Sequence, residues 1–308
     1  MPPIDVLAAP KASPLYLNAV REHFTVHENP EQAPLERIRA VAGGGESKVP
    51  AELIARLPAL EIVSIMGVGY DGVDVQAARS RGVVVTHTPD VLNDDVADLA
   101  IGLMLCAARQ LPRADRFVRE GRWEQGPMPL ARKMSGARLG LVGMGRIGQA
   151  IAQRATAFGM SIAYTARSAK PGLPYAYQPD LVELARASDY LVVITPGGAA
   201  TRHLVDARVL QALGAKGILV NVARGSVVDE AALIEALERG VIGGAALDVF
   251  EDEPRVPQRL RELPQVVLTP HIGSATAQTR KAMVDLALAN LLAKMQGRPV
   301  LTAVPECR

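Results

Sequence analysis

The chain has 308 residues, 49% hydrophobic and 21% charged, with a formal net charge of +2. That length accommodates two domains of ordinary size, and so small a charge excludes nucleic acid as the main partner. Two cysteines, Cys106 and Cys307, exclude a disulfide framework.

The N-terminal MPPIDVLAAP lacks the basic and apolar regions of a signal peptide. No apolar run approaches the ~18 residues of a membrane span, so a cytoplasmic protein is expected. Strands are predicted at 4–8, 38–42, 60–66 and 83–86. Helices are predicted at 15–22, with Ser13 as cap and Pro14 at the first position, at 51–58, and at 74–82, closed by Gly82. These make a small α/β unit. DDVADLAIGLMLCAAR (94–109) reads as a helix capped by Asn93 or Asp94, apolar all round, buried, and bridging two domains. It makes Cys106 a core residue, whereas Cys307 is expected to fray. Residues 110–138 read as a basic, polar loop with Arg113, Arg116, Arg119, Arg122, Arg132 and Lys133. Two readings stay open: a solvated face, or an arm packing on a second subunit through Trp123 and 128–130.

Five apolar runs follow, each ending in chemically distinctive residues: LGLVGMGRIG (139–148), YLVVITPGG (190–198), GILVNVARG (217–225), GAALDVFEDEP (244–254) and VVLTPHIG (266–273). Such runs read as strands of a parallel sheet buried on both faces. Ligands of such sheets bind outside the carboxyl ends of the strands. A last helix is predicted at 275–296. It returns the chain to a discontinuous first domain, 1–98 with 284–308, around a dinucleotide-binding domain at 99–283.

Gly143, Gly145 and Gly148 form G-x-G-x-x-G between a strand and a helix, the context of a dinucleotide site. Gly143 permits the turn, Gly145 admits a pyrophosphate and Gly148 lets helix and strand approach. The helix N-terminus attracts the phosphates. About 20 residues on, where NAD-specific sites carry an acid, stands Thr-Ala-Arg-Ser with Arg167 and Ser168, then Lys170. Arg167 suits a 2′-phosphate. The expected cofactor is therefore NADP(H), with NAD(H) as the alternative.

Arg224 follows one strand and suits a carboxylate. Glu253 and His271 follow two others. A Glu bonded to a His favours the imidazolium and orients it, as a proton donor to a carbonyl requires. Asp248 reads either as an acceptor for the nicotinamide carboxamide or as a bonder ending its strand. MGVGYD (66–71) offers backbone amides for an anion, with Val68 and Gly69 holding a substrate carboxylate beside Arg224. His23, His27, His87 and His203 are given no chemistry, and no metal-ligand spacing is found.

SIMGVGYDGVD (64–74), DDVADLAIGL (94–103), GLVGMGRIGQAIA (140–152), NVARGSVVDEAALIEAL (221–237), GAALDVFEDEP (244–254) and TPHIGSAT (269–276) resemble the D-isomer-specific 2-hydroxyacid dehydrogenases over essentially the whole chain. PLARKMSGARLGLVGMGRIG and the TARS segment narrow the likeness to NADPH-dependent glyoxylate/hydroxypyruvate and hydroxyphenylpyruvate reductases. The resemblance implies two Rossmann- or flavodoxin-like α/β domains with parallel sheets, an active site in the cleft between them, and a homodimer. It implies that Arg224 binds and polarises a 2-oxo acid and that His271, partnered by Glu253, is the acid–base group. Cofactor contacts fall on Arg146, Ile147, Arg167, Ser168, Thr195, Pro196, Val222, Asp248 and Gly273. The expected reaction is reduction of glyoxylate or hydroxypyruvate to glycolate or D-glycerate. Alternatives are an aromatic 2-oxo acid reductase, an NAD-dependent dehydrogenase, a formate dehydrogenase, and a non-catalytic dinucleotide-sensing corepressor. One departure is the glycine pair of ITPGGAAT (194–201), where many relatives are bulkier.

Overall fold

The computed structural model describes residues 4–308; the first three residues of the N-terminal segment lie outside the described residues. The chain divides into two compact units: residues up to Leu92 together with Thr276–Arg308, and Asn93–Ala275.

The first unit begins with β1 (Asp5–Ala8), α1 (Pro14–Arg21), β2 (Thr25–His27), β3 (Ile38–Gly44), α2 (Ala51–Ala55), β4 (Ile62–Met66), α3 (Val75–Ser80) and β5 (Val84–Thr86). Among the described residues its sheet runs β2-β1-β3-β4-β5, with every pairing parallel. The chain leaves β1 for β2 and returns to β3, so the winding reverses between β1 and β3. Open α/β sheets bind ligands at such a reversal. Leu7, Ile38, Val41, Ile54, Val63, Ile65 and Val85 form the core beneath it. Pro14 opens α1 as expected, but Ser13 makes no side-chain cap bond. Asp74 does cap α3, accepting from the Ala77 N–H at 2.8 Å, and Gly82 follows at φ +71°.

The second unit comprises α4 (Asn93–Arg109), α5 (Leu111–Arg119), β6 (Arg138–Val142), α6 (Arg146–Thr156), β7 (Ser161–Thr165), β8 (Ala176–Tyr177), α7 (Leu181–Arg186), β9 (Tyr190–Val193), α8 (Ala207–Leu213), β10 (Ile218–Asn221), α9 (Glu230–Glu238), β11 (Gly244–Leu247), α10 (Gln258–Glu262) and β12 (Val266–Leu268). Its parallel sheet has the order β12-β11-β10-β9-β6-β7-β8. The five apolar runs are β6, β9, β10, β11 and β12. Burial on both faces holds for β9, β10 and β11. It fails at the edge strand β12, whose three residues are half-buried because one side has no neighbouring strand. The winding reverses between β6 and β9.

Helix α11 (Ala277–Met295) returns to the first unit, packing on β4 and α1. Thr276 caps it, accepting from the Thr279 N–H. The Ser64 hydroxyl, itself bonded by Tyr16, donates to the Ala287 carbonyl.

Several expectations need correction. The units divide at 92/93 and 275/276, not at 98/99 and 283/284. Helix α4 belongs wholly to the second unit, because Arg154 of α6 bonds Asp94 at 3.0 Å and Asp98 at 2.5 Å. Residues 110–138 are not simply loop: α5 forms there, with none of its residues buried. Cys106 is only partly buried, and that burial still pushes its thiol pKa up. Cys307 is not frayed. It sits in a short turn packed on the first unit's core, next to the fully buried Val304.

Candidate active site

The registers of the second sheet place six loops along one rim. Val142 is aligned with Thr165 and Val193, Val193 with Asn221, Asn221 with Leu247 and Leu247 with Leu268. The segments that follow these strands carry the glycine loop, Arg167, Thr195, Arg224, Asp248 with Glu253, and His271.

At the β6/β9 reversal, Gly143 has φ +113° and lies so close to the next strand that a Cβ would meet the Ile194 carbonyl oxygen at 2.6 Å. A Cβ on Gly148 would meet the Gly143 carbonyl oxygen at 2.5 Å, so α6 starts tight against the loop. Nothing surrounds the Cβ position of Gly145 within 4 Å, which leaves its backbone open to a phosphate. Arg146 and Ile147 follow in the first turn of α6. The Thr195 hydroxyl oxygen is buried with no hydrogen-bond partner among the described residues. Together with the helix N-terminus, that orphaned donor fits a dinucleotide. Pro196, Arg167, Ser168 and Lys170 are exposed beyond the strand ends, and no carboxylate lies between 165 and 170.

The loops at 221–225, 248–253 and 269–273 are tied to one another. The Asp248 carboxylate, 2% exposed, accepts from the Thr269 hydroxyl at 2.7 Å, the Ile272 N–H at 2.8 Å and the Gly273 N–H at 2.8 Å. The His271 N–H donates to the Asp248 carbonyl at 2.9 Å. This network holds His271 at φ +52°, a left-handed conformation that a non-glycine residue adopts only when its surroundings dictate it. The His271 Nδ1 lies 2.7 Å from Glu253 Oε2, and Glu253 Oε1 accepts from the Phe250 N–H at 2.9 Å. Asn221, 1% exposed, braces the turn into Arg224: its Nδ2 donates to the Arg224 carbonyl and its Oδ1 accepts from the Ala223 N–H. The Arg224 Nη1 donates to the Ala223 carbonyl at 2.8 Å. Gly225 is pressed against the Phe250 carbonyl with no room for a Cβ. The loop carrying Arg224 thus abuts the loop carrying Glu253.

In the first unit, Val68 and Gly69 lie in the half-buried turn after β4. Ring Nδ1 of His87 lies 3.0 Å from the Val68 carbonyl, and the Thr88 N–H donates to the Gly67 carbonyl at 2.8 Å. Tyr70 stacks edge-on against His87 and donates to Glu306. Burial and the neighbouring Glu306 charge push its phenol up to about 12, so it stays protonated and donating.

Comparison with known proteins decides the ancestry. The sequence profile of the D-isomer specific 2-hydroxyacid dehydrogenase NAD binding domain matches residues 101–273. The chain belongs to the D-isomer-specific 2-hydroxyacid dehydrogenase family. It is 53% identical over 267 residues to glyoxylate/hydroxypyruvate reductase A of Arabidopsis thaliana, covering 87% of this chain and 85% of that one. It is 52% identical to hydroxyphenylpyruvate reductase of Plectranthus scutellarioides, over 87% and 86%. Among solved structures, the NADPH-dependent glyoxylate/hydroxypyruvate reductase of Sinorhizobium meliloti, in complex with NADP and malonate, superimposes with TM-score 0.93 at 48% identity, covering 98% and 97%.

As a member of this family the chain is an oxidoreductase with an NAD-binding domain. Its own residues add detail that sequence reasoning missed. Asp248 follows its strand and organises the His271 loop by accepting from three donors. The Gly273 N–H is committed to Asp248, and a Cβ there would meet Asp248 Oδ2 at 3.2 Å, so its glycine is positional. Val222 is buried and bonded to β9 through its N–H. Asn221 and His87 had no signal of their own, since their work is to hold backbone turns. The position of Asn221, at a strand end three residues before Arg224, was the available clue.

Proposed function

We propose that this protein reduces small 2-oxo acids, glyoxylate and hydroxypyruvate, to the D-2-hydroxy acids glycolate and D-glycerate, with NADPH as donor. The observation that carries the reading is the pinned His271–Glu253 pair on the same sheet rim as Arg224. The identities to glyoxylate/hydroxypyruvate reductases support the substrate class. The second unit, on this reading, holds the dinucleotide and the first the substrate.

Bound NADPH supplies a hydride from its nicotinamide. The guanidinium of Arg224 grips the substrate carboxylate, and the backbone amides of Val68 and Gly69 are assigned to substrate. The same cation draws electron density toward the carbonyl oxygen. Glu253 occupies His271 Nδ1, which makes Nε2 the atom that gives its proton to that oxygen as hydride reaches carbon. In the oxidative direction Nε2 takes the proton back. Phosphates fall to the α6 N-terminus with Arg146 and Ile147, and the 2′-phosphate to Arg167, Ser168 and Lys170. Thr195, Pro196, Val222, Asp248 and Gly273 line the remainder.

We also assign it to the cytoplasm, as a homodimer. Among the described residues no helix is long and apolar enough to cross a membrane. Leu111, Val118, Trp123 and Leu130 are 47%, 56%, 67% and 99% exposed along one segment, apolar surface that a second subunit would cover.

A panel of 2-oxo acids with both reduced cofactors tests this. The expected result is NADPH-linked turnover of glyoxylate and hydroxypyruvate, slower with NADH. The 52% identity to a hydroxyphenylpyruvate reductase supports a second reading, which higher kcat/KM for hydroxyphenylpyruvate would favour. NADH preference would overturn the cofactor assignment.

A further inference from the structure

The first unit carries a charged pair that the reaction above does not use. Lys11 Nζ lies 3.0 Å from Glu46 Oε2. Lys11 follows β1 and Glu46 follows β3, so the pair stands at the strand ends flanking the unit's winding reversal, the place where α/β sheets bind ligands.

The pair is built in. Lys11 has φ +61°, a left-handed conformation unusual for a residue with a side chain. The turn holding it is latched to the other loop: the Ser47 hydroxyl donates to the Pro10 carbonyl at 2.6 Å and accepts from the Gly44 N–H at 2.8 Å. A Cβ on Gly44 would meet the Lys11 carbonyl oxygen at 3.1 Å. On its other side, the Glu46 loop touches the turn of Val68 and Gly69 backbone to backbone, since a Cβ on Gly67 would meet the Gly45 Cα at 2.9 Å. Glu46 is only half-exposed, its side chain retaining 30% of its accessibility. A solvated surface ion pair needs none of this bracing.

Beside amides that hold a carboxylate, a fixed carboxylate repels a second negative charge and accepts a hydrogen bond from a hydroxyl. We propose that the Lys11–Glu46 pair reads the substrate at C3, selecting 2-oxo acids that carry a hydroxyl there and rejecting those that carry a second carboxylate. Glu46 accepts a hydrogen bond from that hydroxyl, and Lys11 fixes the Glu46 side chain and screens its charge. This rests on the 2-oxo acid reduction proposed above, with Val68 and Gly69 at the substrate carboxylate.

The test is kcat/KM of the full-length protein with NADPH for hydroxypyruvate, glyoxylate and oxaloacetate, in wild type, Glu46→Gln and Lys11→Met. The hydroxypyruvate-to-glyoxylate ratio is expected to fall about tenfold in Glu46→Gln, the usual size of a lost hydrogen bond to a charged acceptor. It falls less in Lys11→Met, and oxaloacetate gains relative to glyoxylate in Glu46→Gln. Each ratio is internal to one preparation, so partial unfolding cancels, and Lys11→Met carries the test if Glu46→Gln does not fold. Ratios unmoved in the variants, with wild type active on glyoxylate and hydroxypyruvate, overturn this inference and leave the reductase reading intact. A wild type inactive on every 2-oxo acid overturns the reductase reading, and this inference with it.

Discussion

The corner proposed to donate the proton and the end proposed to hold the ribose lie on one sheet rim of the second unit yet are built by opposite means. Around His271 the loops are tied to one another: Asp248 takes three donors, Glu253 takes the imidazole and a backbone N–H, and Asn221 closes the turn into Arg224. At the ribose end Arg167, Ser168 and Lys170 stand exposed on a turn held by Tyr164, whose hydroxyl accepts the Lys170 N–H, and by Tyr177, which donates to the Ala166 carbonyl. The difference follows from the tasks. A proton must land on one oxygen while hydride reaches the adjacent carbon, and an ångström of misplacement is costly. A phosphate is recognised by charge, which tolerates long flexible side chains.

If that contrast is right, mutations of the bracing groups at the first corner disturb stability and turnover together, those of the side chain aimed at substrate disturb turnover, and those at the second change cofactor choice alone. The largest effect is expected for Asp248→Ala, which strands three donors; at about 1–3 kcal/mol each the loss is roughly 3 kcal/mol or more. In a domain of this size that lowers Tm by on the order of 10 °C, and kcat falls as His271 leaves its left-handed turn. Calorimetry with steady-state kinetics checks both, and normal stability with normal kcat would break the contrast. Next comes Arg224→Lys, which keeps the charge and loses the planar fork. KM is expected to rise and kcat to fall, together about a hundredfold in kcat/KM, the scale of a lost charged partner; Tm should barely move. Smallest is Arg167→Ala. The ratio of kcat/KM for NADPH over NADH should drop about tenfold, the scale of one charge-assisted contact, with thermal stability unchanged. An unaltered ratio would remove Arg167 from the 2′-phosphate site.

Much of this architecture could be read before any coordinates. The runs at β6, β9, β10 and β11 are apolar throughout because both faces are covered, and that pattern depends on composition alone. Gly143 and Gly148 were recognisable because their turn excludes a Cβ. Helix α5 has an apolar stripe at Leu111, Ala114 and Val118, but the arginines between them and the polar residues after it gave the segment a loop-like composition. Strands β2 and β8, of three and two residues, are too short to leave a period. The work of Asp248 was ambiguous because a strand-ending acid reads the same whether it meets ligand or loop. Its three donors come from residues 21 to 25 positions away, pairings set by sheet register. The Lys11–Glu46 pair spans 35 residues and leaves no local pattern.

The most direct test compares wild type with His271→Ala in NADPH-dependent reduction of glyoxylate, with NADPH affinity measured separately by fluorescence. The account predicts a ~10²–10⁴-fold loss of kcat, the usual cost of removing a general acid, with cofactor binding preserved. A variant that keeps most of its turnover, or a wild type that never oxidises NADPH with any 2-oxo acid, would contradict it.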